Sequence, residues 1–239
     1  MGPAGEDDLA AVIDHEAFAR DGALRLPRRL TPDQIDALCT LADARLGGRA
    51  GVRLAGEPAL IPLLGPEGPA GRIATALTSR AARPVRVVLF DKTVDANWSV
   101  AWHQDRTIPV RERVDVGGFG PWSTKDGLLH VAPPVEVLAR MVTLRVHLDP
   151  VSEANAPLQV AVGSHLLGRV SAEDAGAVAG RRATLVCLAE AGDIWAYRTP
   201  ILHASDASTG TGRRRVLQVD YADFALPGGL RWSDPIDPG

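Results

Sequence analysis

The sequence predicts a mainly β protein, a sandwich or barrel with helices packed on its outside. Three observations carry this. Helix signals come first. Many short β-branched and aromatic runs separated by turn residues follow. Neither an internal repeat nor a linker divides the 239 residues, a length that sandwiches and barrels often fill as one domain.

Residues 1–8 have the composition of a frayed end. Val12, Phe18 and Ala19 with acidic flanks predict a short helix over about residues 9–20, ended by Asp21-Gly22. Ala23 to Pro27 reads as a short strand. Thr31-Pro32 is a helix start, with threonine capping and proline at the first helical position. Ile35, Leu38, Leu41 and Ala42 mark its apolar stripe, and Gly47-Gly48 stops it. Residues 49–66, rich in Gly and Pro, read as loop, and a third helix is expected over about 70–81. Strands are then expected at 85–90, 98–105, 141–148, 158–162, 184–188, 193–197 and 216–221. Residues 106–135, with Gly117-Gly118, Gly120-Pro121, Gly127 and Pro133-Pro134, show no periodicity and suggest a lid-like insertion.

Composition removes several function classes. A net charge of −3 gives no electrostatic reason to expect nucleic acid. No apolar run approaches the ~20 residues of a membrane span. Cys39 and Cys187 have no metal-binding or disulfide-framework spacing, so reduced thiols are expected. The acidic N-terminus argues against a signal peptide, and a cytoplasmic location follows as the expectation.

The chemistry concentrates in Trp102-His103-Gln104-Asp105. On a strand, His103 and Asp105 point to the same face. One imidazole and one carboxylate are two legs of a 2-His-1-carboxylate site, which holds Fe(II) and leaves positions open. The third leg must come from far along the chain, and His203 is the candidate, although a buried histidine satisfied by backbone is the plainer reading of its residue type. A second His-x-Asp, His147-Leu148-Asp149, competes. There Asp149 precedes Pro150 at a strand end, where aspartate most often starts a turn. In Arg213-Arg214-Arg215, alternation sets Arg214 opposite to its neighbours. One inward arginine in an apolar barrel needs an anion, and a dicarboxylate supplies one. The outer two read as a solvated basic strand start.

His103-Gln104-Asp105, His203-Ala204-Ser205 and Arg214 together resemble the phytanoyl-CoA dioxygenase family. So do Phe90-Asp91-Lys92, the segment Leu144 to Asp149, Asn155 to Leu158, and Gly163-Ser164-His165. The resemblance spans roughly residues 10–225. It implies a double-stranded β-helix, a jelly roll of the cupin-like kind, with flanking N-terminal helices. The implied cofactors are Fe(II), 2-oxoglutarate and O2. His103, Asp105 and His203 would be the iron ligands. Arg214, eleven residues after His203, would take the far carboxylate of 2-oxoglutarate, with Ser205 beside it. Gln104 and Arg145 match positions that can touch the cosubstrate; the family residue at the second is commonly aromatic, and Arg145 could instead meet an anionic substrate. His165 would be a turn or core histidine. Asp105, where halogenating relatives have a small residue, favours hydroxylation. The substrate is expected to be a small molecule, with a natural-product intermediate suggested by the breadth of the family. Arg106, Trp122 and His130 are candidate substrate contacts. Trp122 could equally anchor the insertion, and Lys92 is expected to face solvent. Two other readings use the same barrel: a cupin-like metalloenzyme without 2-oxoglutarate, and a non-catalytic small-molecule binding protein.

Overall fold

Alternation along the strands builds this molecule. In the computed structural model, which describes residues 9–236, thirteen strands form three antiparallel sheets. The strands are β1 (Ala23–Leu26), β2 (Gly51–Leu54), β3 (Arg83–Lys92), β4 (Val100–His103), β5 (Ile108–Pro109), β6 (Trp122–Lys125), β7 (Leu128–Val131), β8 (Val142–His147), β9 (Leu158–Ala161), β10 (Thr184–Cys187), β11 (Ile194–Arg198), β12 (His203–Ser205) and β13 (Arg214–Ala222). A six-stranded sheet runs β1-β11-β8-β13-β3-β2, and a four-stranded sheet runs β10-β9-β12-β4. Facing each other, they make a double-stranded β-helix of the jelly-roll type. The third sheet, β5-β7-β6, lies beside them. The N-terminal residues expected to fray lie outside the described residues.

Successive residues of the large sheet serve opposite sides. Leu144 and Val146 of β8, Leu217, Val219 and Tyr221 of β13, and Val87 and Leu89 of β3 form one core cluster with the helices α3 (Pro32–Leu46) and α5 (Pro69–Thr78). Tyr221 Oη donates to the Leu64 carbonyl at 3.1 Å, tying β13 to α4 (Ile61–Leu64). The residues between, such as Arg86, Thr143, Arg145, His147, Arg214, Gln218 and Asp220, are buried and polar. They face the small sheet.

The predicted cap at Thr31 forms a full capping box with Gln34, and Gly47 ends α3 in the left-handed region. Four expectations need correction. The first helix is two, α1 (Leu9–Val12) and α2 (His15–Asp21), because the Asp14 carboxylate accepts from the Ala17 amide at 2.8 Å and starts a new cap. Residues 49–66 hold strand β2 and helix α4, both of four residues and bracketed by Gly and Pro, so no periodicity exposes them. Residues 106–135 are no irregular lid. They carry the β5-β7-β6 sheet, whose tight turn at Asp126-Gly127 has positive φ at both residues. One face of this sheet, with Ile108 and Val131, packs on Leu226, Leu230 and Trp232. Lys92, finally, is buried.

Two small anchors set the start of β12. Ser164, in the 3-10 turn Ser164–Leu167, accepts the Leu202 amide at 2.8 Å. His165 leans its ring on Gly22, where a Cβ would fall 2.2 Å from Nδ1, and its Nε2 meets the Ala19 carbonyl at 3.1 Å. It is a structural histidine. No helix among the described residues is long and apolar enough to cross a membrane.

Asp193, fully buried, accepts from Arg25, from the Arg28 amide at 2.8 Å and from the Glu190 amide at 2.8 Å. Asp193→Ala removes the acceptor of both amides and of Arg25 and is expected to lower unfolding stability by about 2 kcal/mol. A drop in the urea midpoint with unchanged slope checks this.

Candidate metal centre

Strand β12 lies between β9 and β4, and its register sets His203 directly across from His103. The two ring centroids are 4.2 Å apart. Each Nδ1 sits against the carbonyl two residues earlier, Ala101 at 2.8 Å and Ile201 at 2.9 Å. This places the proton on Nδ1 and leaves each Nε2 with a lone pair for a metal. Burial, reinforced by His103, lowers His203 to about 4, so it is neutral at physiological pH. Burial works against a charge on Asp105. Arg86, His203 and His103 outweigh it and hold the carboxyl at about 2.

Asp105 leans on a buried arginine. Arg86 Nη2 is 2.9 Å from Asp105 Oδ2, and Arg86 Nε is 2.6 Å from Asp220 Oδ2. Both contacts are ion pairs without hydrogen-bond alignment. Thr143 Oγ1 donates to Asp220 Oδ1 at 3.0 Å and lies 3.1 Å from Thr199 Oγ1. Burial raises Asp220 to about 6, against the pull of Arg86. Among the described residues, no three or more His, Cys, Asp or Glu side chains are grouped as they stand so as to hold a metal ion. The donor chemistry nevertheless fits iron. It comprises two imidazoles with outward lone pairs and an ionised carboxylate whose Oδ2 lies 2.9 Å from Arg86 Nη2, with Oδ1 turned away from that ion pair.

A second group of side chains on the inner face is cationic and under-satisfied. Arg214 stands across from Lys92, and Arg145 across from Gln218. Arg145 Nη1 donates to Gln218 Oε1 at 2.7 Å, and Arg214 Nη1 donates to the Ala156 carbonyl. The Nε of each arginine, both nitrogens of His147 and the Tyr197 hydroxyl are buried without partners. Burial and the neighbouring Arg145 push Arg214 downward, and burial with both arginines brings Lys92 to about 8. Burial alone pushes His147 well down, with the arginines adding to it, so it stays neutral. Buried cations with free donors are a receptor for an acid. Lys92 Nζ donates to the carbonyls of Trp98 and Asp206 at 2.6 and 2.9 Å and to Ser205 Oγ at 3.3 Å. It is buried at the end of β3, where solvent exposure is the sequence expectation.

Other residues singled out in the sequence have different work. Gln104 spends its amide on the backbone, donating to Gly168 and Pro200 and accepting from the Val170 amide, which leaves nothing for a cosubstrate. Arg106 Nη2 donates to the Val170 carbonyl at 2.6 Å, so it too secures that loop. Trp122 packs on the apolar cluster around Trp232, as an anchor of the small sheet. His130 lies in β7 on the face opposite to Val131; it is fully buried, with Nδ1 on the Leu128 carbonyl at 3.0 Å and Nε2 unpartnered. Burial lowers it to about 4. Arg213 and Arg215 point outward. They are clamped rather than merely solvated: Arg213 pairs with Asp91 and Asp43, and Arg215 with Asp149 and Asp43. The second His-x-Asp pair is thus split between an inward His147 and an Asp149 committed to Arg215.

The residues that sequence reasoning missed are Arg86, Asp220 and Lys125, and His147, weighed there as half of a competing pair, turns inward beside the arginines. Lys125 Nζ reaches Thr107 Oγ1 at 2.9 Å and is close enough to Arg86 and Asp105 to feel both charges. Arg86 had a visible signal, a lone charge inside the β-branched run 85–90.

Fold and donor set together define a jelly-roll enzyme of the non-haem iron class. The family model described as "Phytanoyl-CoA dioxygenase (PhyH)" matches residues 18–216, and the chain belongs to that family. It is accordingly an Fe(II)- and 2-oxoglutarate-dependent enzyme, with O2 as co-reactant. No curated protein matches its sequence. Among solved structures, AviO1 from Streptomyces viridochromogenes Tue57 is similar at 22% identity and TM-score 0.67, covering 94% of this chain and 99% of its own. The epimerase SnoN from nogalamycin biosynthesis, solved with Fe3+, alpha ketoglutarate and nogalamycin RO, is 19% identical at TM-score 0.68, covering 97% and 96%. EctD from S. alaskensis, solved with 2-oxoglutarate and 5-hydroxyectoine, is 15% identical at TM-score 0.63, covering 98% and 80%. At these identities the likeness is one of fold.

The displaced lysine carries a pH signature. Lys92 folds with a value of about 8, against the model-peptide 10.5, so the unfolded chain binds the extra proton between those limits. The destabilisation is fully present below pH 8 and is relieved as pH rises towards 10.5, by on the order of 2 kcal/mol. Urea midpoints of the parent minus those of Lys92→Met, taken from pH 7 to 10, are expected to rise through that window.

Proposed function

We propose that this protein oxidises a small molecule, with hydroxylation as the outcome, through iron held by His103, Asp105 and His203 and 2-oxoglutarate held by Arg214. The observation that carries the reading is His203 in register with His103, ring centroids 4.2 Å apart, on the wall that faces a pocket of unsatisfied cations. When bound, iron supplies the chemistry that couples O2 reduction to oxidative decarboxylation of 2-oxoglutarate, giving succinate and CO2, and to oxidation of the substrate.

The protein's own residues have separate tasks. The carbonyls of Ala101 and Ile201 fix the imidazole tautomers. Arg214 pairs with the distal carboxylate, with Ser205 at its side. Arg145, lying between the histidines and Arg214, adds a second cation along the cosubstrate. The barrel walls exclude water. Near Asp105, the β6–β7 hairpin contributes Lys125, a candidate donor for a polar substrate. A natural-product intermediate is the proposed substrate class, in keeping with the nogalamycin enzymes that share the fold. The chain acts as one catalytic domain. Its two free thiols suit the cytoplasm. A cupin-like enzyme without 2-oxoglutarate would have no use for the inward Arg214, and a simple binding protein would not need the His103, Asp105 and His203 donor set beside it.

Anaerobic addition of Fe(II) and 2-oxoglutarate is expected to produce a weak visible metal-to-ligand band. His103→Ala should abolish it. Arg214→Ala should raise the half-saturating 2-oxoglutarate by about 30-fold or more, as loss of a buried charge partner does. Unchanged titrations in both variants would mean that the site lies elsewhere.

A further inference from the structure

We propose that Arg86 is a positioning residue that restricts Asp105 to one-oxygen ligation and so keeps a coordination position of the iron open. This rests on the iron site proposed above.

Arg86 is buried on the inner face of β3, with Asp220 as its Cα partner on β13 and Thr143 beyond that on β8. Its two sides are taken. One nitrogen lies 2.9 Å from Asp105 Oδ2, and another lies 2.6 Å from Asp220 Oδ2. Asp220 is itself fixed by the Thr143 hydroxyl at 3.0 Å. The guanidinium therefore cannot follow Asp105 if the carboxylate turns, and Oδ2 stays beside it while Oδ1 is free to ligate.

The consequence is one of counting. A six-coordinate ion with two imidazoles and a chelating keto acid has two positions left. A carboxylate that binds through both oxygens fills both; one that binds through a single oxygen leaves a place for O2. Stability offers no better account of Arg86. A buried arginine between two carboxylates gains little over apolar packing of the same volume, and here it interrupts a strand that is otherwise β-branched and aliphatic from Val85 to Leu89.

The test uses the full-length protein, anaerobically, with nitric oxide as the probe for the open position. Fe(II) affinity, the 2-oxoglutarate band and the nitrosyl EPR signal are measured for the parent, Arg86→Gln, Arg86→Lys and Asp220→Asn. Arg86→Gln is expected to keep iron and the chelate band, while its nitric oxide affinity falls about tenfold or more, equivalent to about 1.4 kcal/mol. Arg86→Lys, which can still meet Oδ2, should recover most of that loss, and Asp220→Asn should fall between. Parent-like nitric oxide binding in Arg86→Gln would overturn the proposal. So would loss of iron from that variant, since Arg86 would then be a prop for the ligand itself. Should Arg86→Gln not fold, Asp220→Asn decides alone, by the same readout. A parent that forms no chelate band overturns the iron site and this inference together; a normal parent with an unaffected variant overturns this inference only.

Discussion

The pairing of β12 with β4 is the constraint on which everything else depends. The pairing is short: the register carries His203 opposite His103 and slips by the time it reaches Ser205 and Val100. Yet it brings together two imidazoles one hundred positions apart in the chain. Three residues of strand cannot hold such a register alone. It is held from outside, by β9 on the other edge of β12 and by Ser164 receiving the Leu202 amide just before the strand begins. The Gly163-Ser164-His165 turn thus acts on the metal centre without touching it. It sets where β12 starts, and the start sets which residue faces His103.

The large sheet answers a different requirement. Its strands must be apolar on one face, to hold α3 and α5, and polar on the other, to receive a charged ligand. Period-two alternation meets both with one strand. In β13, Leu217, Val219 and Tyr221 enter the apolar core, while Arg214, Gln218 and Asp220 turn inward. A register slip of one residue would exchange the two faces completely. Full pairing of β13 with both β3 and β8 makes that slip costly, since every ladder on either side would have to move with it.

Legibility in the sequence followed the same physics. Strands β3, β8, β11 and β13 were readable because each is long or β-branched and bounded by turn residues. The cap of α3 was readable because Thr31-Pro32 is a local signal. Strand β2 was not, since four residues at a sheet edge between glycines have no period to detect. The β6–β7 hairpin was hidden among glycines and prolines, although Asp126-Gly127 is a strong turn signal that could have disclosed it. For the site, alternation was enough to set Arg214 apart from Arg213 and Arg215, which the structure turns outward onto acids. It was not enough for Lys92 or Gln104. Whether a polar side chain at a strand end meets ligand, backbone or water is decided by segments far away in sequence, here Asp206 for the one and Gly168 to Val170 for the other. Arg86 was passed over for the opposite reason. A single charge in an apolar strand was read as part of the strand, when its burial against two carboxylates makes it part of the site.

The inner face carries an electrostatic tension with a direction. Around Asp105 carboxylates surround the cation, with Arg86 set between two of them. Along the wall towards Arg214 cations gather instead: the arginines weaken Lys92 as a base, Arg145 weakens Arg214, and both arginines leave an Nε unused. A cation buried without an anion destabilises the fold that buries it. A dianionic cosubstrate reverses that term, because it supplies the missing charge where the donors already point. Ligand binding and folding stability are then linked through the same side chains. At the site proposed above, the polarity of the wall would also orient the cosubstrate, its far carboxylate towards the cationic end and its chelating end towards the histidines. On this argument the arginines supply more than affinity. In the proposed site they would determine which end of the diacid meets the metal.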